Sequence, residues 1–196
     1  MIKKIMAKEI LEELFDSPVK VKLLKLFLRN PKASFKLNEI VKKIRSDNYS
    51  CRRQIKKLEN IRLISGRIKN KHKVYSVNPD FDFYSELRTL ILKSSPASRE
   101  KLLSRIKGLG RIKLTILSGI FINEENSRVD LFIVGDSIKK RKLFVFLRDL
   151  EAEVGKEIDY VVFSTADFNY RYDMFDRFIR DVLEKPHEKL INKLRI

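Results

Sequence analysis

Within the stretch Ser46–Val77, SDNYSCRRQIKKLENIRLISGRIKNKHKVYSV, the spacing of apolar residues changes from helical to extended. Cys51, Ile55 and Leu58, followed by Arg62, recur at helical intervals, which predicts a helix over Tyr49–Asn60 with its apolar members on one buried stripe. Asp47 or Asn48 stands where a side-chain oxygen would accept the first free backbone N–H groups. The other faces carry Tyr49, Ser50, Arg52, Arg53, Lys56, Lys57 and Asn60, with no acid among them. Beyond Leu63 the pattern predicts two short strands, Ile64–Ile68 and Lys73–Val77, joined by the cationic turn Lys69-Asn70-Lys71-His72. A helix presenting bases and running straight into a basic hairpin suits a groove-entering helix with a wing along the phosphates.

The charge distribution agrees with that placement. Of a formal net charge of +17, residues 1–78 hold 21 Lys and Arg against 7 Asp and Glu, a net of +14. Residues 79–196 hold 22 against 19, a net of +3. A polyanion is the partner such an asymmetry implies, because neutralised phosphates release condensed counterions. One cysteine excludes an intrachain disulfide framework, and the reading is a cytoplasmic protein. The amphipathic N-terminus is broken by charges too often for a secretion signal, and no stretch is long and apolar enough to span a membrane, so no membrane partner is expected.

Taken in order, residues 3–15 predict an amphipathic helix. Asp16-Ser17-Pro18 ends it and starts a second over Val19–Arg29, with Pro18 in a favourable first-turn position. Asn30-Pro31 stops that helix, and Phe35 is expected to pair briefly with the wing. Leu37, Ile40, Val41 and Ile44 form a helical stripe, and a short turn leads on to the Tyr49–Asn60 helix. This order, carried by DSPVKVKLLKLFLRNPKASFKLNEIVKKIRSDNYSCRRQIKKLENIRLISGR, resembles the winged helix-turn-helix domain of ArsR-like and MarR-like transcription regulators. Metal-sensing regulators of this type need thiol or imidazole clusters, and Cys51, His72 and His187 cannot supply one. Cys51 is expected to be core filler.

Asn78-Pro79-Asp80 closes the domain, so the boundaries read 1–78 for the winged helix, 79–96 for a linker and 97–196 for a second domain. The linker carries a helix over Phe81–Lys93, and Ser94-Ser95-Pro96-Ala97-Ser98 is the strongest boundary signal. The second half alternates elements: helix Ser98–Lys107, strand Ile112–Ile122, strand Val129–Val134, basic amphipathic helix Ile138–Glu153, strand Ile158–Phe163 and a largely helical Phe168–Leu183. The fold class is α+β, with a mixed sheet in this half. Phe168, Tyr170, Tyr172, Phe175 and Phe178 are spaced for core and edge packing.

From about Lys113 to Lys193 this half resembles the minimal nucleotidyltransferase domain, the polymerase-β-like module. That resemblance implies a Gly-Ser phosphate-holding turn, a Ser-Asp-x-Asp-Leu strand and a third Asp on a later strand. Three such carboxylates would hold two magnesium ions. Asp130 in Ser127-Arg128-Val129-Asp130-Leu131 and Asp159 match the second and third carboxylates, while Arg128 stands at the first. Leu117-Ser118-Gly119-Ile120 replaces the Gly-Ser pair. Ser118, Gly119, Arg128, Asp130 and Asp159 thus read as remnants of a metal site, with no catalysis, bound metal or cofactor expected.

The function implied is a DNA-binding transcription regulator. Tyr49, Ser50, Arg52, Arg53 and Lys56 would enter the major groove, while Lys36, Lys57, Arg67, Lys69, Lys71, His72 and Lys73 would contact phosphates. Double-stranded DNA is the partner, bound by a homodimer whose candidate arms are Met1–Phe15 and Phe81–Lys93. The second half would serve dimerisation or a protein partner. An active nucleotidyltransferase and an RNA-binding module are the competing readings.

Overall fold

Hydrophobic clusters, among them one running from Leu11 to Ile91 and one from Leu114 to Val182, organise the computed structural model, which describes residues 7–94, 99–124 and 126–196. The start of the expected N-terminal helix, residues 3–6, and the boundary residues 95–98 lie outside the described residues. The chain is mixed α/β, with nine α-helices and two sheets among the described residues. Its contacts divide it into one unit of Met1–Ser95 with Arg148–Glu157 and another of Pro96–Leu147 with Ile158–Ile196. Among the described residues no helix is long and apolar enough to cross a membrane.

In the first unit, α1 (Ala7–Leu14) buries Leu11 and leaves Leu14 exposed. The helix α2 (Pro18–Arg29) begins as the sequence predicts. Ser17 Oγ accepts the Lys20 N–H at 3.2 Å, and Pro18 sits where its missing N–H breaks no helical bond. Val21, Leu23, Leu24, Leu26, Phe27 and Leu28 bury on α2, which makes it the axis of the core. The short strand β1 (Phe35–Lys36) leads into α3 (Leu37–Ile44), whose Ile40 and Ile44 are fully buried. Arg45, left-handed at φ 49°, ends α3.

Asp47, of the two candidates, is the cap of α4 (Asn48–Asn60): its Oδ1 accepts the Ser50 N–H at 2.7 Å. Cys51, Ile55 and Leu58 form the buried stripe, joined by Gln54. Arg62 is not on that helix; it is exposed and left-handed (φ 61°) in the turn to the next strand. There β2 (Ile64–Lys69) and β3 (His72–Val77) pair antiparallel around Asn70 and Lys71, both left-handed at φ 49° and 62°. The expected four-residue turn is therefore a two-residue type I′ turn, whose twist matches the flanking strands. β3 is the centre of the sheet β1-β3-β2, and Phe35 faces Tyr75 as the expected brief pairing.

The helix expected in a linker, α5 (Tyr84–Lys93), packs into this first core. Ile91 is fully buried, and Arg29 Nη2 donates to its carbonyl at 3.3 Å. The Arg148–Glu157 segment belongs here too. Asn30 Nδ2 donates to Gly155 O at 2.7 Å, and a Cβ on Gly155 would lie 2.6 Å from the Lys25 carbonyl carbon. At φ 81° and with that approach, only glycine fits.

Burial decides the chemistry of Cys51. Its thiol is fully buried and pushed up to about 11, mainly by desolvation, with Asp47 adding repulsion. The native protein is therefore expected to leave Cys51 unreacted with a thiol reagent at mildly alkaline pH, while the denatured chain takes up one equivalent. Rapid labelling of native protein would contradict this packing.

In the second unit, α6 (Arg99–Lys107) precedes β4 (Arg111–Leu117). The expected strand Ile112–Ile122 stops at Leu117 because Gly119 turns the chain at φ 54° into a single 3-10 turn, Gly119–Phe121. β5 (Leu131–Asp136) starts two residues later than expected, leaving Val129 and Asp130 in the preceding turn. It is followed by α7 (Lys140–Val154), β6 (Tyr160–Phe163), α8 (Thr165–Asp173), α9 (Arg177–Glu184) and β7 (Glu188–Asn192). The sheet order is β6-β5-β4-β7, with β5 and β6 parallel and the other pairs antiparallel. Leu131 to Gly135 are all buried, as a strand covered on both faces requires.

The single helix expected over Phe168–Leu183 is two. Phe175 is left-handed (φ 53°), and Asp176 Oδ1 caps α9 by accepting the Phe178 and Ile179 N–H groups at 2.9 and 3.1 Å. Phe132 packs against Phe163, Phe168 and Phe178 with ring centroids 5.7, 6.0 and 6.2 Å away. Tyr170 and Phe175, expected among the packing aromatics, are instead 69% and 77% exposed.

The charges of α7 run against its macrodipole. Lys140, Arg141 and Lys142 fill its first turn, while Glu151 and Glu153 lie in its last. Each such placement costs about 0.3–1 kcal/mol at low ionic strength.

Candidate nucleic-acid interface and the Ser118–Asp130 turn

Asp47 fixes the first turn of α4, and the buried Cys51, Ile55 and Leu58 stripe fixes its rotation. What remains outside is the cationic face. Tyr49 is 75% exposed, Arg52, Arg53, Lys56 and Lys57 are exposed, and Ser50 is half-buried. Arg52 Nε donates to Asn48 Oδ1 at 2.8 Å, which steadies one guanidinium on the helix. On the hairpin, Arg67, Lys69, Lys71 and His72 are exposed.

Lys73 differs from the other candidates. Its Nζ lies 2.9 Å from Glu59 Oε1 and 4.9 Å from the Tyr75 ring centroid. The bond to Glu59 is the main reason that its pKa is raised. Lys73 thus ties the end of α4 to the hairpin, and its charge is matched within the protein. Lys36 is exposed at the start of α3, where its backbone N–H donates to Glu39 Oε2 at 2.8 Å.

Ile68, absent from the sequence-based set, is 83% exposed on the hairpin. It shares a face with the buried Ile64, but the hairpin extends past the core that covers Ile64. Period-two reading places it on the inner face and cannot show where the core ends.

In the second unit the expected metal-site remnants form a closed hydrogen-bonded turn. Asp130 is 7% exposed; its Oδ1 accepts the Ile120 N–H at 2.8 Å and its Oδ2 the Asp159 N–H at 3.0 Å. Ser127 Oγ accepts the Gly119 N–H at 2.9 Å, and Ser118 Oγ donates to Val129 O. The Gly119 and Ile120 donors, which a phosphate-holding turn would offer to a ligand, are thus taken up internally. Asp159 contributes its backbone, accepting from Asp130 N at 2.7 Å, while its side chain is exposed.

Arg128 is drawn to α9 rather than to Asp130 or Asp159. Its Nε and Nη2 lie 2.7 and 2.6 Å from Asp181 Oδ2. That hydrogen bond is the first cause of the lowered Asp181 pKa. Among the described residues no three His, Cys, Asp or Glu side chains are grouped to hold a metal. The chain matches no family model, no curated protein and no solved structure.

Proposed function

We propose that this protein is a DNA-binding regulator of transcription, with α4 as the recognition helix of a winged helix-turn-helix and the β2–β3 hairpin as its wing. The observation that carries the reading is the acid-free exposed face of α4 joined through Glu59 and Lys73 to a basic type I′ hairpin. Tyr49, Ser50, Arg52, Arg53 and Lys56 read base edges; Lys36, Lys57, Arg67, Lys69, Lys71 and His72 hold phosphates. The protein acts as a homodimer on two half-sites, with its second unit serving assembly or a protein partner.

The second unit is non-catalytic in this reading. What supports this is that Arg128, bound to Asp181, stands where the first acid of a two-magnesium triad would be, and that both Asp130 carboxylate oxygens accept backbone N–H groups. The test is equilibrium binding to duplex DNA across a salt series, for native protein and for a hairpin charge reversal at Lys69 and Lys71. The reversal is expected to weaken binding and flatten the salt slope. Equal binding by the two proteins would overturn the reading.

A further inference from the structure

We propose that the second unit carries its own phosphate-binding surface for duplex DNA, formed by Lys107, Arg111, Lys139, Lys140, Arg141 and Lys142. The ligand class rests on the reading above; the surface itself rests on separate observations.

Two segments distant in sequence build it. Lys139 N–H donates to Leu109 O at 2.9 Å, and Arg111 Nη2 donates to Ser137 Oγ at 3.3 Å. A Cβ on Gly110 would lie 2.8 and 2.9 Å from the Ser137 and Asp136 carbonyl oxygens, so the two backbones touch. The loop after α6 and the loop before α7 therefore share one edge, and all six cations on it are exposed. Asp136 accepts from Thr165, whose N–H and Oγ1 donate to it at 3.0 and 2.8 Å and are the main cause of its lowered pKa, with Arg111 and Lys113 adding to it.

The charge balance on α7 separates this cluster from an ordinary solvated face. The acids near its end have partners within the protein: Asp149 lies 2.7 Å from Arg45, and Glu151 and Glu153 are engaged as well. Among the described residues none of the six forms a salt bridge, and only Arg111 acts on a nearby acid, helping to lower the pKa of Asp136. Cations set against a helix dipole and unmatched internally are accounted for by an external polyanion. The modest net charge of residues 79–196 conceals this segregation, because the acids lie elsewhere in the sequence.

Duplex phosphates fit better than a lipid surface. A helix lying in a membrane interface needs a broad apolar face towards the lipid. Here α7 buries Phe146, Leu147, Leu150, Ala152 and Val154 in the protein, leaving Phe144 and Val145 exposed beside the cations.

The test uses the full chain with Lys139, Lys140, Arg141 and Lys142 all changed to alanine, compared with native protein and a Lys69→Ala/Lys71→Ala hairpin variant. Binding to a random-sequence duplex is followed against salt. Each lost phosphate contact lowers the slope by about 0.9, so the expected fall is about 2–4, with at least roughly tenfold weaker binding near 0.1 M salt. The same variant should melt no lower than native, because it relieves the opposition to the α7 dipole. Unchanged DNA binding by this folded variant would overturn the proposal. Lost binding to phosphatidylserine vesicles with DNA binding intact would overturn it in favour of an anionic lipid surface. Should the hairpin variant bind normally while the α7 variant fails, the surface stands and the winged-helix reading falls. Absence of duplex binding by native protein would overturn both.

Discussion

Replacing Asp130 with alanine is expected to destabilise the second unit by about 2–4 kcal/mol, because it strips the acceptors from two backbone donors, Ile120 N–H and Asp159 N–H. A loss of that size lowers the melting temperature of a unit this small by roughly 10 °C or more. Asp130→Asn should cost less, since one carbonyl oxygen survives while the amide meets the other donor. Gly119 belongs to the same arrangement. A Cβ there would stand 2.0 Å from Asp130 Oδ1, on a backbone at φ 54°. Gly119→Ala is therefore expected to destabilise as well, and its steric part should vanish once Asp130 is alanine. A double-mutant cycle should return a coupling of about 1 kcal/mol or more. Additive losses, or native-like hydrogen exchange at Ile120 and Asp159 in Asp130→Ala, would show that the carboxylate does not hold the turn.

The second large effect concerns DNA. Arg53→Ala should weaken binding at the preferred duplex by about 1–3 kcal/mol while barely changing random duplex, which flattens sequence preference. Lys71→Gly should act differently. It removes one phosphate contact, lowering the salt slope by about 0.9 for every sequence alike. It also places glycine where the backbone is left-handed (φ 62°), which should raise hairpin stability by about 0.5–1 kcal/mol. Opposite signs for stability and affinity in one variant separate a lost contact from a damaged fold. An Arg53→Ala protein that loses preferred and random duplexes equally would remove α4 as the reader.

How much of this was legible beforehand depended on the range of the forces involved. The α4 stripe, the Ser17–Pro18 start and the Phe35 pairing follow from local periodicity and capping, and all three are present. Ile112–Ile122 looked like one strand because its apolar run is nearly continuous. Gly119 turns there to make room for the carboxylate of Asp130, eleven positions further on, which no local pattern reveals. The break at Phe175 was hidden for a related reason: a bulky aromatic at positive φ is held by the Asp176 cap and not by its own preference. For the candidate interface, residue types were readable but pairings were not. By residue type Lys73 is indistinguishable from its neighbours and Arg128 is a lone cation among acids; only the fold sets Glu59 beside the one and Asp181 beside the other.

One helix assigns the chain an order of assembly. The early residues of α7 belong to the second unit, whereas Arg148–Glu157 completes the first. A ribosome must therefore have made residue 155 before Asn30 can find its acceptor on Gly155, and residue 157 before Lys43 meets Glu157. Because closure entropy grows only with the logarithm of loop length, so long an insertion burdens stability little. Its weight falls on the folding rate, through contacts that must form across more than a hundred intervening positions. A fragment ending at Ser95 would lack the partners that Asn30, Lys43 and Arg45 find in this segment, and a nascent chain of that length would wait in the same unfinished state.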